Sequence, residues 1–97
     1  MQVQVIIGNA APGKNAKLQK IQTELNMQGI DVPIVVGKNC TTPFFLNQIA
    51  NQVIAGAKHF LADDCTNVQI KAVLGLAARE ENSGLPNDLV VHLVRKA

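Results

Sequence analysis

The chain has 97 residues and a net charge of +2; it is 47% apolar and only 16% charged, with three Phe and neither Trp nor Tyr. That length allows one domain with a single modest core, and the apolar fraction excludes a disordered chain. Nine Asn and eight Gln supply polarity in place of charge, so neither a concentrated basic face for nucleic acid nor an ion-pair-rich surface is expected.

Residues 3–7 (V-Q-V-I-I) are β-branched apart from Gln4 and end at Gly8, which predicts a first strand. The cluster N-A-A-P-G-K is a turn, after which Leu18, Ile21 and Leu25 recur at helical spacing. Gly29 stands where a glycine would close that helix, with Ile30 placed for a Schellman stop. The narrow apolar stripe suits a helix lying on one sheet face.

Residues 32–36 (V-P-I-V-V) form a second predicted strand, and Pro33 favours a sheet edge. The second helix opens with Thr42 as N-cap and Pro43 at the first helical position. Leu46, Ile49, Ala50, Val53, Ile54 and Ala57 give it a wide apolar stripe, as for a deeply packed helix. Beyond Gly56, residues 59–62 read as a short buried strand; the competing reading merges 43–62 into one helix and leaves a three-stranded domain, α/β or α+β. Thr66 caps a third helix whose stripe is Ile70, Val73, Leu74 and Ala77, with Arg79 near its end suiting the helix dipole and Gly84 terminating it. Residues 89–94 (L-V-V-H-L-V) are nearly all apolar, as in a strand covered on both faces. His92 within them reads as a hydrogen-bonded core or face residue.

The order βαβαβαβ predicts an α/β fold: a small three-layer, doubly wound parallel sheet. The simplest strand order is 2-1-3-4, although Gln2 and Gln4 pull the first strand toward an edge.

In such sheets ligands sit outside the carboxyl ends of the strands. Here those ends lead into G-N-A-A-P-G-K-N, G-K-N-C-T-T-P and D-D-C-T-N. The candidate ligand-binding residues are Gly8, Asn9, Gly13, Lys14, Lys38 and Thr41. Asp63 and Asp64 are candidates for magnesium, whose hard-oxygen preference suits carboxylates. The first loop matches the body of a phosphate-binding P-loop, G-x-x-x-x-G-K, with Asn15 where that motif needs Ser or Thr. A plain tight turn before a helix is the favoured reading of this loop. One Asp of the pair can instead cap the third helix.

Cys40 and Cys65 are not spaced as C-x-x-C, and with His59 they supply too few ligands for zinc. They read as two small thiols, although a helix N-terminus can lower the pKa of Cys65. The opening residues carry no basic, apolar leader and no run is long enough to span a membrane. The expected setting is therefore cytoplasmic, away from membranes.

Three features taken together, namely a loop after the first strand, Lys38 after the second, and F-L-A-D-D with Asp63 25 residues beyond Lys38, resemble the later motifs of haloacid dehalogenase-like phosphatases. The resemblance spans residues 3 to about 78. It implies a phosphate-neutralising role for Lys38 and a magnesium role for Asp63 and Asp64. The family's nucleophile motif, D-x-D-x-T or D-x-D-x-V, occurs nowhere in the chain. The Ser or Thr that binds phosphate is replaced by Gly8 or Asn9. A double Asp after a strand also resembles the start of a receiver domain.

These observations point to a non-catalytic domain binding a small anionic or phosphorylated ligand, with or without magnesium. Two alternatives compete: a homo-oligomeric interaction module, favoured by low charge and many amides, and a degenerate phosphatase-like hydrolase.

Overall fold

A computed structural model describes residues 1–8, 16–79 and 86–96. Among these residues the chain forms an α/β domain of four parallel strands and three α-helices: β1 (Gln2–Gly8), α1 (Ala16–Met27), β2 (Ile34–Val36), α2 (Thr42–Ile54), β3 (His59–Asp63), α3 (Asn67–Ala78) and β4 (Val90–Lys96). A single 3-10 turn, Gly37–Asn39, follows β2. The separate β3 excludes the reading in which 43–62 form one helix.

The strand order is β1-β4-β3-β2, not 2-1-3-4. The physical reason lies in the strand faces. Gln2 and Gln4 are exposed on β1, which a central strand would not tolerate, whereas β4 buries Val91 and Leu93 on one face and Val94 on the other. β4 therefore takes a central place and β1 an edge. β2, preceded by Pro33, forms the opposite edge and is only three residues long.

Strand alternation sorts the core into two layers. Phe60, Ala62, Val91 and Leu93 pack with Phe45 and Ile49 of α2 and with Ile70 and Val73 of α3. Phe45 meets Phe60 edge-on, with ring centroids 5.7 Å apart. On the other face Leu61 and Val94 pack with Leu18 and Leu25 of α1 and with Val32. So α1 covers one face, and α2 and α3 the other.

The helix ends follow the local chemistry. Gly29 adopts φ +81°, and Ile30 N–H and Gly29 N–H donate to Leu25 and Asn26 carbonyls, the Schellman pattern. Gly56, at φ +99°, closes α2 in the same way through Ala57 to Gln52 and Gly56 to Val53. That left-handed stop is what frees 59–63 to become a strand. The N-cap of α2 is Thr41, one residue before the expected Thr42, with its hydroxyl accepting from Phe44 N–H. The helix buries Phe45 and Ile49, whereas Ile54, expected in its stripe, is 83% exposed. Thr66 caps α3 in a full capping box with Gln69. Leu74, expected in the stripe of α3, is 44% exposed. Gly84 lies outside the described residues.

Candidate functional site

The helix that follows β1, α1, covers one face of the sheet, and the helices that follow β2 and β3, α2 and α3, cover the other. Between β1 and β3 stands the carboxyl end of β4, so connections diverge on either side of Arg95 and Lys96. Such a divergence opens a crevice at the carboxyl edge of a parallel sheet.

A depression of about 300 Å³ lies there, lined by Lys38, Asp64, Cys65, Asn67 and Arg95. Lys38 Nζ is 3.7 Å from Asp64 Oδ2; the lysine side chain is 60% exposed and the aspartate side chain 10%. Arg95 donates from Nη1 to Asn67 Oδ1, which ties the end of β4 to the first residue of α3. Asp64 takes a left-handed backbone, φ 49°, a conformation Asp and Asn tolerate better than most side chains. It turns the chain from β3 into α3.

The acidic pair is divided. Asp64 lines the depression, whereas Asp63 shares the strand face of Leu61 and His59. Asp63 is buried, and its Oδ1 accepts from Asp64 N–H at 2.8 Å. Thr41 stands at the start of α2 as its cap. Gly8 ends β1 beside Lys96. Asn9, Gly13 and Lys14 lie outside the described residues.

Gln69 organises this rim, and its role was not legible in the sequence. Its side-chain oxygen accepts from Thr66 N–H, and its Nε2 donates to the carbonyls of Gly37 and Cys40 at 2.8 and 3.1 Å. One buried amide thereby joins the β2–α2 connection to the β3–α3 connection. Gly37 is required at this junction: a Cβ there would stand 2.5 Å from Gln69 Oε1 and 3.0 Å from Cys65 Cα. The only sequence signal was Gln three residues after Thr66, the spacing of a capping box.

Both cysteines are free thiols, Cys65 buried and Cys40 half-buried. Burial pushes the Cys65 thiol up to about 12, against a lowering by its hydrogen bond with the Val94 backbone. The expected effect of a helix N-terminus is thus outweighed by desolvation. Cys40 donates to Val36 O. His59 stands at the start of β3, the far end of the strand from Cys65. Among the described residues no three His, Cys, Asp or Glu side chains cluster as metal ligands.

No protein-family model, curated protein or solved structure matches the chain. Among the described residues no helix is long and apolar enough to cross a membrane.

A second depression, about 370 Å³, lies at the opposite end of β2 beside Ile30, Val32, Pro33 and Gln52. Asp31 is the charged residue in its lining. A third polar group runs across the sheet on the α1 face. His92, buried as expected for a hydrogen-bonded residue, has Nδ1 3.0 Å from Gln4 Oε1 and Nε2 3.4 Å from His59 Nδ1. The two imidazoles stack with centroids 5.7 Å apart and planes at 15°.

Proposed function

We propose that the carboxyl-end rim binds a small anion of the phosphate or carboxylate class through Lys38 and Arg95. The observation that carries this reading is the meeting of both cations on one depression at the divergence of the sheet connections. Arg95 keeps several N–H donors beyond the one spent on Asn67, and its planar fork matches oxyanion geometry. Lys38 sits on an exposed side chain able to swing from Asp64 to a ligand. The start of α3 adds main-chain N–H groups and the positive end of the helix dipole.

Magnesium fits this reading as a companion of the anion. That ion keeps several waters and needs only one or two carboxylates besides ligand oxygens. Asp64 is the carboxylate at the depression, while Asp63 is committed to the turn.

Isothermal titration with inorganic phosphate and with small phosphorylated compounds, each with and without magnesium, tests the proposal. The expected result is heat beyond dilution and a raised melting temperature. Lys38→Ala and Arg95→Ala should each weaken binding about tenfold, the loss of roughly one charge-assisted hydrogen bond. No heat and an unchanged melting temperature across the panel would sink the reading.

A further inference from the structure

Among the described residues β1 is an edge of the sheet that lacks the charge, proline and bulge that usually protect one. It is seven residues long, and its pairing with β4 runs without a bulge from Gln2↔Val90 to Gly8↔Lys96. It contains no Pro and no charged residue. The opposite edge, β2, is three residues long and preceded by Pro33. Among the described residues the two edges are therefore unequal, and β1 is the long one without proline, charge or bulge.

The direction of its peptide groups follows from one hydrogen bond. Gln2 N–H donates inward to Leu89 O at 2.8 Å. Along a strand paired on one side, alternate residues point their N–H and C=O inward. Gln2, Gln4 and Ile6 thus bond to β4, and Val3, Val5 and Ile7 present their peptide groups outward. The same three residues carry apolar side chains on the α2 and α3 face; Val5 is 40% exposed and Ile7 62%. Leu74 of α3 extends this apolar border. Gln69 is held on the β2 side of α3 by Gly37 and Cys40. At about 100° per residue, Leu74 falls on the opposite side, toward β1, where it is 44% exposed.

We infer that β1 pairs antiparallel with β1 of a second copy across a two-fold axis at Val5, joining two four-stranded sheets into one of eight strands. The register satisfies two independent conditions. Val3 faces Ile7 of the second copy, Val5 faces Val5, and Ile7 faces Val3, so apolar side chains meet apolar side chains. These are also the residues with outward peptide groups, so each of the three pairs exchanges two main-chain hydrogen bonds. A one-residue slip breaks both conditions together. Neutrality is the third element: a strand without charge meets itself across a two-fold axis without repulsion, whereas a single Lys or Glu on the axis would face its own copy. This pairing is independent of the anion proposed at the rim.

Sedimentation velocity over about 10 to 500 µM, together with a charge exchange at Val5, tests the inference. The wild-type chain should pass from one-chain to two-chain mass as concentration rises. Val5→Lys and Val5→Glu should each remain one chain throughout, and an equimolar mixture of the two should regain two-chain mass. Amide exchange gives a second readout: at high concentration Val3, Val5 and Ile7 should slow at least tenfold, while Gln4 and Ile6 stay unchanged. If a Val5 variant fails to fold, Ile7→Lys, at a more exposed position, serves in its place. A wild-type chain that stays monomeric overturns the inference. So does a dimer that Val5→Lys leaves intact, or a mixture of folded variants that does not recover.

Discussion

The side-chain amide of Gln69 donates to the main-chain carbonyl of Gly37 at 2.8 Å, joining residues 32 apart in the chain. The same nitrogen reaches the Cys40 carbonyl, and the side-chain oxygen of Gln69 accepts from Thr66 N–H. The arrangement brings Lys38, one residue beyond Gly37, to the same depression as Asp64.

Replacing Gln69 by Leu keeps much of the volume but leaves two carbonyls and one N–H without this partner. Leaving buried polar groups unsatisfied is costly, so a loss of about 2–4 kcal/mol is expected in urea denaturation. Gln69→Glu should do at least as much damage, because a carboxylate would face two carbonyl oxygens. A change under about 0.5 kcal/mol for Gln69→Leu would show that the junction holds without the amide.

Gly37→Ala should destabilise by about 1–3 kcal/mol, since the new methyl meets backbone of the β3–α3 connection as well as the Gln69 side chain. Gly29→Ala is the informative comparison. Nothing stands within 4 Å of its Cβ position, and its cost arises from φ +81° alone, about 1 kcal/mol. Because Gly37 and Gln69 touch, Gly37→Ala combined with Gln69→Leu should cost less than the sum of the two. Chemical denaturation of the four proteins checks the order.

The His92 imidazole is held below its ordinary pKa of 6.5, first by burial and then by the neighbouring His59. The unfolded chain therefore takes up this proton at a higher pH than the folded one. The resulting stabilisation is present in full above about pH 6.5 and is lost as pH falls through the lower folded value. His92→Gln should flatten melting temperature against pH between neutrality and mild acid. An unaltered slope would assign that acid sensitivity to other groups.

Cys65 should resist alkylation at pH 8 in the folded protein, since burial keeps it a thiol with a pKa near 12. Iodoacetamide labelling followed by peptide mass mapping should show Cys65 modified only on unfolding in denaturant. Rapid labelling of Cys65 in native protein would mean that the start of α3 opens readily. In the folded state its proton is retained past the ordinary value of 9.0. Stability tied to this thiol is thus present below about pH 9 and declines as pH rises above it.

Much of the secondary structure was legible locally. The valine and isoleucine runs marked the strands, the Leu18, Ile21 and Leu25 spacing marked α1, and Gly29 and Thr66 marked a stop and a start. Those signals arise within about one helical turn, where hydrogen bonds and side-chain period depend on neighbours in sequence. Even the hint that β1 belongs at an edge was visible in Gln2 and Gln4.

The order of the strands was not. It depends on which faces find cover, and only the assembled sheet places β4, buried on both sides, between β1 and β3. For the same reason the acidic pair read as one unit but is divided: alternation at the end of β3 leaves Asp63 on one face, and the left-handed turn carries Asp64 to the depression. Lys38 and Asp64 were identifiable as polar residues in strand-end loops. Arg95 and Gln69 were not, because one ends a strand and the other lies inside a helix, and what distinguishes them is contact with residues far away in the chain. Local chemistry thus settled the elements of this protein, while the burial of faces and the satisfaction of a few buried polar groups decided how they meet.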